Sequence, residues 1–531
     1  MLRPKVVVIG LDGATWNLIK PWAEEGKLPT FKYLMENGAW GILESTVPPL
    51  SPSAWVSIYT GCKPSKHGIF GFVKRKSDSY FYRPISSRDV KKKPIWEVLS
   101  ECGLRCIVIN ALFLYPPKPI NGILITGLGT PSKDSDFVYP KSYKEFILKN
   151  FPEYDVDFNE DLLLVSDDAK LFIRKVKDVT KEQIKLTKFF IKNESWDFLF
   201  SIFRALDVIQ HYFWNDRQLV YNFYKIFDEF IGELLHDYLK DEKFVLFIVS
   251  DHGFSKVEKY FCINNWLEQI GMLRMVEKQK NDRSTLITAE TVKKILLKLR
   301  MRKLVWKLKR TKLLERLLRV IPSEEFRYIH QIKWDETKAY YYEGSDGIIN
   351  INLKDREPCG IVEKKDYHDI VSCICNELKK LEDPETDEKI VERVYTKEKL
   401  YGSADDELPD IFVLMREGYR AVAYNKLDDS SMFMPPVHGR ILRPADHHIN
   451  GVFLAFGWNI VCGKKVENAV KLWDIAPTIM NILCVPIASY MDGRVLTDIL
   501  CRTLSQRVID YKHVSEKETI RRKVEKLRKK L

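Results

Sequence analysis

Four continuous apolar runs constrain this chain more than any other feature. They are the "VVVIG" that closes at Gly10, "LRCIVINA" at 104–111, "WDFLFSIF" at 196–203 and "KFVLFIVS" at 243–250. Each is strand-length, and each passes through polar residues into a helix-like stretch. Apolar runs without an alternating polar face suit strands buried on both sides, as in a parallel sheet covered by helices. The fold class expected is therefore α/β, with a mostly parallel central sheet and helices on both faces. A chain of 531 residues exceeds one ordinary core, so lobes inserted into that domain are expected as well. The patterning divides it into a first part of a catalytic core (1–265, with a helical insertion at about 130–190) and a basic helical insertion (266–332). A smaller α+β lobe (333–435), the completing part of the core (436–505) and a basic C-terminal helix (506–531) follow.

The longest apolar run, "FVLFIV" at 244–249, falls far short of the roughly 20 residues that cross a bilayer. No transmembrane segment is expected, and the N-terminus lacks the pattern of a signal peptide. Ten cysteines without framework spacing read as reduced core residues of a cytoplasmic protein, and the single Cys373-x-Cys375 pair does not make a zinc ribbon. The net charge of +12 is concentrated in 293–319, where twelve Lys or Arg meet one acid. Its apolar residues recur at helical spacing, so it reads as an amphipathic basic helix. A helix packed on the body with a solvated face is one reading; contact with an anionic surface is the other.

In a sheet of this kind ligands bind beyond the carboxyl ends of the strands, and the residues there form a pattern. Asp12 follows the first run, Asp207 and His211 the third, and Asp251 and His252 the fourth, while His447 and His448 precede a further apolar run. Asp207 and His211 stand one helical turn apart, on one face. Asp and His are the donors a divalent cation such as zinc takes, and a pair of metals needs about six of them. Singly, Asp12 reads equally as a helix cap. Jointly, Asp12, Asp207, His211, Asp251, His252 and His447 point to one shared metal site.

Ser51, in "VPPLSPSAWVSIYTG", then gains a chemical reason. A hydroxyl beside a bound cation is activated as a nucleophile, and a helix N-terminus favours a phosphate. The competing reading is a plain N-cap with proline at the next position.

The set "GLDGATW", "PPLSPSAWVSIYTGCKPSKHGIFGF", "RALDVIQHYFW", "VSDHGF" and "ADHHINGVFLAFG" resembles the alkaline phosphatase superfamily. Within it the likeness is to the type I phosphodiesterase/nucleotide pyrophosphatase branch and to microbial predicted phosphohydrolases or phosphomutases. "NLKDREPCGIV", "LPDIFVLM" and "LWDIAPTIMNILCVPIASYMDGRVL" extend it. The resemblance implies an alkaline-phosphatase-like core and a phosphodiesterase acting through a covalent phosphoserine at Ser51 with two divalent metals, zinc first and manganese second. It implies that Asp12, Asp251 and His252 hold one metal, Ser51 bridging, and that Asp207, His211 and His447 hold the other, with His448 the alternative to His447. His67 matches a recurrent position, for which a structural or supporting role is expected.

The sequence also departs from the branch. Its phosphodiesterases commonly carry threonine at the nucleophile, and an asparagine donor 21 residues on, where this chain has Phe72. The sulfatase pattern of Pro and Arg after the nucleophile is replaced by Ser53 and Trp55. The expected substrate is a small phosphate ester, a nucleotide or lipid diester among them. The alternatives are a phosphomutase like the cofactor-independent phosphoglycerate mutases, and a protein that binds an anionic polymer or membrane surface and keeps a vestigial metal site.

Overall fold

The computed structural model describes residues 3–276 and 331–509, apart from 77, 159, 161–162, 164–168, 241–242, 343, 345, 424–430, 439–440 and 503–507. The basic run 293–319, with the rest of 277–330 in the 266–332 insertion, and 506–507 and 510–531 of the C-terminal segment lie outside the described residues.

The central sheet is built from β1 (Lys5–Leu11), β2 (Ala39–Glu44), β3 (Cys106–Ala111), β4 (Gly122–Thr126), β5 (Val138–Tyr139), β6 (Phe198–Phe203), β7 (Phe244–Val249), β8 (Asn450–Gly457), β9 (Lys464–Lys465) and β10 (Val470–Lys471). Their order is β9-β2-β8-β7-β1-β6-β3-β4-β5, with β10 also paired to β2. The five strands from β7 to β4 are mutually parallel, while β8 runs antiparallel to β2 and β7, and β5 antiparallel to β4. The four apolar runs of the sequence are β1, β3, β6 and β7, and their two-sided burial follows from the period of the strand. Val7, Ile9 and Leu11 pack into the core on one face with Leu199, Leu246 and Ile248. Val6 and Val8 pack into the other with Phe200, Val245 and Phe247. The fold is α/β with a mostly parallel central sheet, as expected.

The helix-like stretch after β1 is not one helix. It forms two, Trp16–Glu24 and Pro29–Asn37. Gly26, at φ +75°, takes the left-handed turn after the first, and Pro29 opens the second, where its missing N–H costs nothing.

In the 130–190 stretch, β5 extends the sheet, and the helix Ala169–Asn193 buries Phe172, Val176, Leu186 and Phe190 in the core of that face. Beyond the central sheet, strands Ala339–Tyr341, Ile348–Ile351, Ile411–Met415 and Val391–Thr396 form a sheet of their own. The helix Tyr367–Lys380 buries Val371, Ile374, Cys375 and Leu378 in the core beside it. A third sheet centres on Gly253–Cys262, which pairs with Gly418–Val422 and Ala445–His448. At the chain's end Val508–Ile509 form a short strand parallel to Ile487–Ala488. No helix among the described residues is long and apolar enough to cross a membrane.

Candidate metal centre

The strand order decides which polar residues meet. Because β7, β1 and β6 are adjacent and parallel, the residues just past their carboxyl ends share one rim: Asp251 and His252, Asp12, and the helix Ala205–Phe213 that carries Asp207 and His211. Antiparallel β8 starts at the same rim, so the strand before it delivers His447, paired with Phe254 across the third sheet. Gly13 permits the close approach. It sits at φ +70°, its N–H donates to Asp251 Oδ1 at 3.2 Å, and a Cβ there would lie 2.8 Å from the Phe254 ring.

Ser51 is the first residue of the helix Ser51–Thr60, whose N-cap position is Leu50. The hydroxyl therefore does not serve as the cap. Its Oγ lies 3.1 Å from His252 Nε2. One turn along, Trp55 Nε1 donates to Asp12 Oδ2 at 3.1 Å, tying the same helix to the end of β1.

The ligand atoms form two adjoining groups. Asp12, Asp251 and His252 offer atoms within 4.8 Å of one another, with His252 Nε2 at 3.6 Å from Asp12 Oδ1 and 3.2 Å from Asp251 Oδ2. In the second group, Asp207 Oδ1 is 3.1 Å from His211 Nε2 and 3.3 Å from His447 Nε2, and the two imidazole nitrogens are 3.1 Å apart. The rings of His252 and His447 stack with centroids 3.7 Å apart, which joins the groups. His448 lies on the other side of its strand, where Nδ1 accepts from the Asn450 N–H.

Each of the three histidines uses Nδ1 on a main-chain carbonyl: His252 on Gly253, His211 on Ala445 and His447 on Pro49. At His252 and His447 that contact fixes a tautomer in which Nδ1 carries the proton and Nε2 keeps its lone pair; at His211 the Arg443 Nε–H also points at Nδ1, across 3.0 Å. The buried oxygens Asp12 Oδ1, Asp207 Oδ1 and Asp251 Oδ2 have no hydrogen-bond donor. Uncompensated acceptors of this kind are costly in an interior. Burial, then the charges of Asp251 and Asp207, pushes the Asp12 carboxyl far up, and burial with Asp207 pushes Asp251 to about 7. Burial also opposes ionisation of Asp207, but His211, His447 and Arg204 outweigh it and hold that carboxyl well below its usual range. Burial keeps the imidazoles neutral, His211 falling to about 3 and His252 and His447 also lowered. Carboxylate oxygens without donors and imidazole lone pairs, all turned toward one space, fit divalent cations.

The family profile for type I phosphodiesterase / nucleotide pyrophosphatase matches residues 6–440. The chain belongs to that family. Phosphoester hydrolysis is the activity of this enzyme. Among solved structures, phosphonoacetate hydrolase from Sinorhizobium meliloti 1021, in complex with phosphonoformate, shares 13% identity at a TM-score of 0.54 over 91% of this chain and 95% of its own. Murine ectonucleotide pyrophosphatase/phosphodiesterase 5 shares 12% at a TM-score of 0.51, over 93% of this chain and 100% of its own. At such identities they establish a common fold. Comparison with curated protein sequences gives no match.

In this family member the structure also brings up residues that the sequence pattern had not singled out. Asp446 approaches His211 Nδ1 at 4.0 Å and contacts Arg420, and its only sequence signal was adjacency to His447. Arg204 follows β6, at the N-cap of the helix Ala205–Phe213, and pairs with Asp157 and with Asp207, at 3.3 Å from the latter. His67 stands apart: its ring bonds to the Ser57 hydroxyl at 3.0 Å and accepts from the Ile69 N–H at 3.1 Å.

Proposed function

We propose that this protein hydrolyses phosphate esters through a covalent phosphoserine at Ser51. Asp12, Asp251 and His252 would hold one divalent metal and Asp207, His211 and His447 a second, with Ser51 beside the first. The observation that carries the reading is the convergence of three donorless carboxylate oxygens and three imidazole Nε2 atoms on the space in front of the Ser51 hydroxyl. Bound divalent cations would supply Lewis-acid stabilisation of the attacking and departing oxygens.

The chain's own residues set up the rest. Helix Ser51–Thr60 presents Oγ at its N-terminus, where the helix dipole favours a phosphoryl group. Trp55 and Gly13 hold Asp12 and Asp251 in place. The Ser51 hydroxyl gives its proton to solvent and the Oγ–P bond forms as the ester O–P bond breaks, the departing alcohol taking a proton from solvent; water then cleaves the serine–phosphorus ester, releasing the phosphomonoester from a diester or phosphate from a monoester, and restores the hydroxyl. Diester substrates of nucleotide or lipid type, zinc ahead of manganese, and a cytoplasmic setting belong to the same proposal.

The test is bound-metal analysis alongside hydrolysis of an aryl phosphodiester and an aryl phosphomonoester, wild type against Ser51→Ala. About two metals per chain in both proteins, with turnover only in wild type, is the expected result. Full activity in the variant would overturn the nucleophile, and absence of metal would overturn the ligand set. Metal without hydrolysis by wild type would turn the reading toward a phosphomutase.

A further inference from the structure

The space over Ser51, Asp207 and His447 measures about 280 Å³. A larger cavity, of about 460 Å³, lies apart from it, at the seam between the catalytic core and the sheet that contains Ala339–Tyr341 and Ile348–Ile351. The two share a wall. Phe72, whose N–H donates to the Gly344 carbonyl at 3.2 Å, lines the first together with Gly344, whereas Val73 and Tyr342 line the second. Small-molecule sites favour such seams between lobes, and the chemistry at Ser51 makes no use of this one.

The lining is aromatic and its charges are matched. Tyr82, on the hairpin Val73–Arg75 and Tyr82–Pro84, stacks on Tyr342 with ring centroids 3.7 Å apart. Tyr340 stands opposite Asn350 in an antiparallel pair, so their side chains share one face of that sheet. The cations already have carboxylates: Arg75 has Glu357 at 3.2 Å, Arg356 has Asp410 at 2.7 Å, Lys91 has Glu407 at 2.7 Å and Lys74 has Asp89 at 3.8 Å. An anion would find them spent, with only the exposed Lys76 left over among the described residues. Three polar groups of the lining are in the opposite position. Tyr82 Oη, Asn350 Nδ2 and Glu357 Oε2 are buried and make no hydrogen bond, and the Glu357 side chain is only 4% exposed. Such orphans are costly in an interior. Among the described residues their other gathering is the metal centre, where a ligand is also called for.

We propose that this second cavity binds a neutral sugar, held against the tyrosine rings by Asn350, Glu357 and Tyr82. The three orphan groups differ in sense: an amide nitrogen only donates, a carboxylate oxygen only accepts and a phenol does either. Sugar hydroxyls both donate and accept, so one ligand answers all three, and its C–H face packs on an aromatic ring. An anion such as phosphate has no proton to give Glu357 and meets its negative charge. A flat base gains no slot between Tyr82 and Tyr342, whose rings already stack on each other. Neither end of the Asn350 carboxamide has a partner among the described residues, so rotation about its terminal torsion brings donor or acceptor to the ligand.

The experiment is saturation-transfer NMR on the full chain with glucose, galactose, mannose and N-acetylglucosamine, with adenosine and inorganic phosphate as competitors, and then titration of the sugar that responds. Wild type is set against Asn350→Leu, which keeps the volume, against Tyr82→Phe, which removes one hydroxyl, and against Ser51→Ala. Affinity should fall about three- to tenfold in each of the two cavity variants and hold in Ser51→Ala, while Asn350→Leu and Tyr82→Phe keep aryl phosphoester hydrolysis. Without sugar, Asn350→Leu should unfold at the same urea concentration as wild type or a higher one, because the amide it removes has no partner in the free protein. That result also shows that the variant folds. Absence of saturation transfer to every sugar would overturn the proposal, as would equal affinity in wild type and both cavity variants. Loss of sugar binding in Ser51→Ala would place the ligand over the metal centre instead, and displacement of the sugar by adenosine or phosphate would overturn the ligand class.

Discussion

Trp55 Nε1 donates to Asp12 Oδ2 across 3.1 Å, one helical turn beyond Ser51. The helix that presents the hydroxyl thus also orients a carboxylate at the end of the neighbouring strand, and Asp12 Oδ1 is left without a donor and free for a cation. Trp55→Phe keeps the buried ring and removes only the N–H. Loss of an orienting partner of a metal ligand costs about 10- to 100-fold in metal affinity. The expected outcome is that weakening for one metal of the pair, read by competition with a chelating dye, with the fold unchanged by circular dichroism. Unchanged affinity for both metals would show that Asp12 needs no such restraint.

Asp251 offers a test of sign. Its carboxyl is buried, beside Asp207 and Asp12, and its pKa stands at about 7. A carboxyl raised above its unfolded value of about 3.9 withdraws stability as pH climbs from that value toward the folded one. Asp251→Asn retains an acceptor for the Gly13 N–H and cannot ionise. At pH 8 the metal-free variant should be more stable than metal-free wild type, on the order of 2 kcal/mol. If Asp251 is a zinc ligand as proposed, the order should reverse in excess zinc. Urea unfolding with and without chelator reads both arms.

The same protonation makes metal uptake pH-dependent. A ligand set that holds protons near neutrality must release them as a cation binds, so zinc affinity should fall steeply as pH drops below about 7, the region where Asp251 titrates. Calorimetry in buffers of different ionisation enthalpy should show protons released on binding. Chelation should also lower Tm by several degrees, since saturation at a hundred times Kd stabilises by about 2.7 kcal/mol per site. A Tm indifferent to zinc would count against a specific site.

How much of this was legible in the sequence varies with the physics behind each feature. The strands β1, β3, β6 and β7 were visible because two-sided burial leaves continuous apolar runs, and the rim residues Asp12, Asp207, Asp251 and His252 follow from the ends of those runs. That His447 and not His448 turns toward His211 depends on the side-chain alternation of Ala445–His448 against Gly253–Cys262, a register that only the pairing fixes. Arg204, Arg420 and Arg443 were invisible: they come from separate segments, and a lone arginine carries no periodic signal. The pairing of Val508–Ile509 with Ile487–Ala488 was hidden for the same reason, two-residue strands being too short to leave a pattern. The division of Trp16–Glu24 from Pro29–Asn37 had its marks in Gly26 and Pro29, which helix periodicity had masked.

His67 carries the last prediction, independent of metal. Its ring is fully buried, donates from Nε2 to the Ser57 hydroxyl and accepts at Nδ1 from the Ile69 N–H. The accepting nitrogen cannot take a proton without losing that bond, and burial lowers its pKa to about 3. In the unfolded chain the imidazole titrates near 6.5. Below that pH the unfolded state binds the proton and the native state does not, so stability falls as pH drops from about 6.5 toward 3 and is fully present above it. One such group costs about 2 kcal/mol at pH 5 relative to neutral pH. His67→Asn keeps an acceptor for Ile69 and has no proton to gain. It should lose about 1 kcal/mol at pH 7.5 through the Ser57 bond, yet close or reverse that gap by pH 5. Denaturant unfolding at the two pH values, with chelator present in all samples, isolates the effect because the other buried histidines are common to both proteins. A gap that stays constant between pH 7.5 and 5 would mean that His67 takes up its proton over the same pH range in the native and unfolded states.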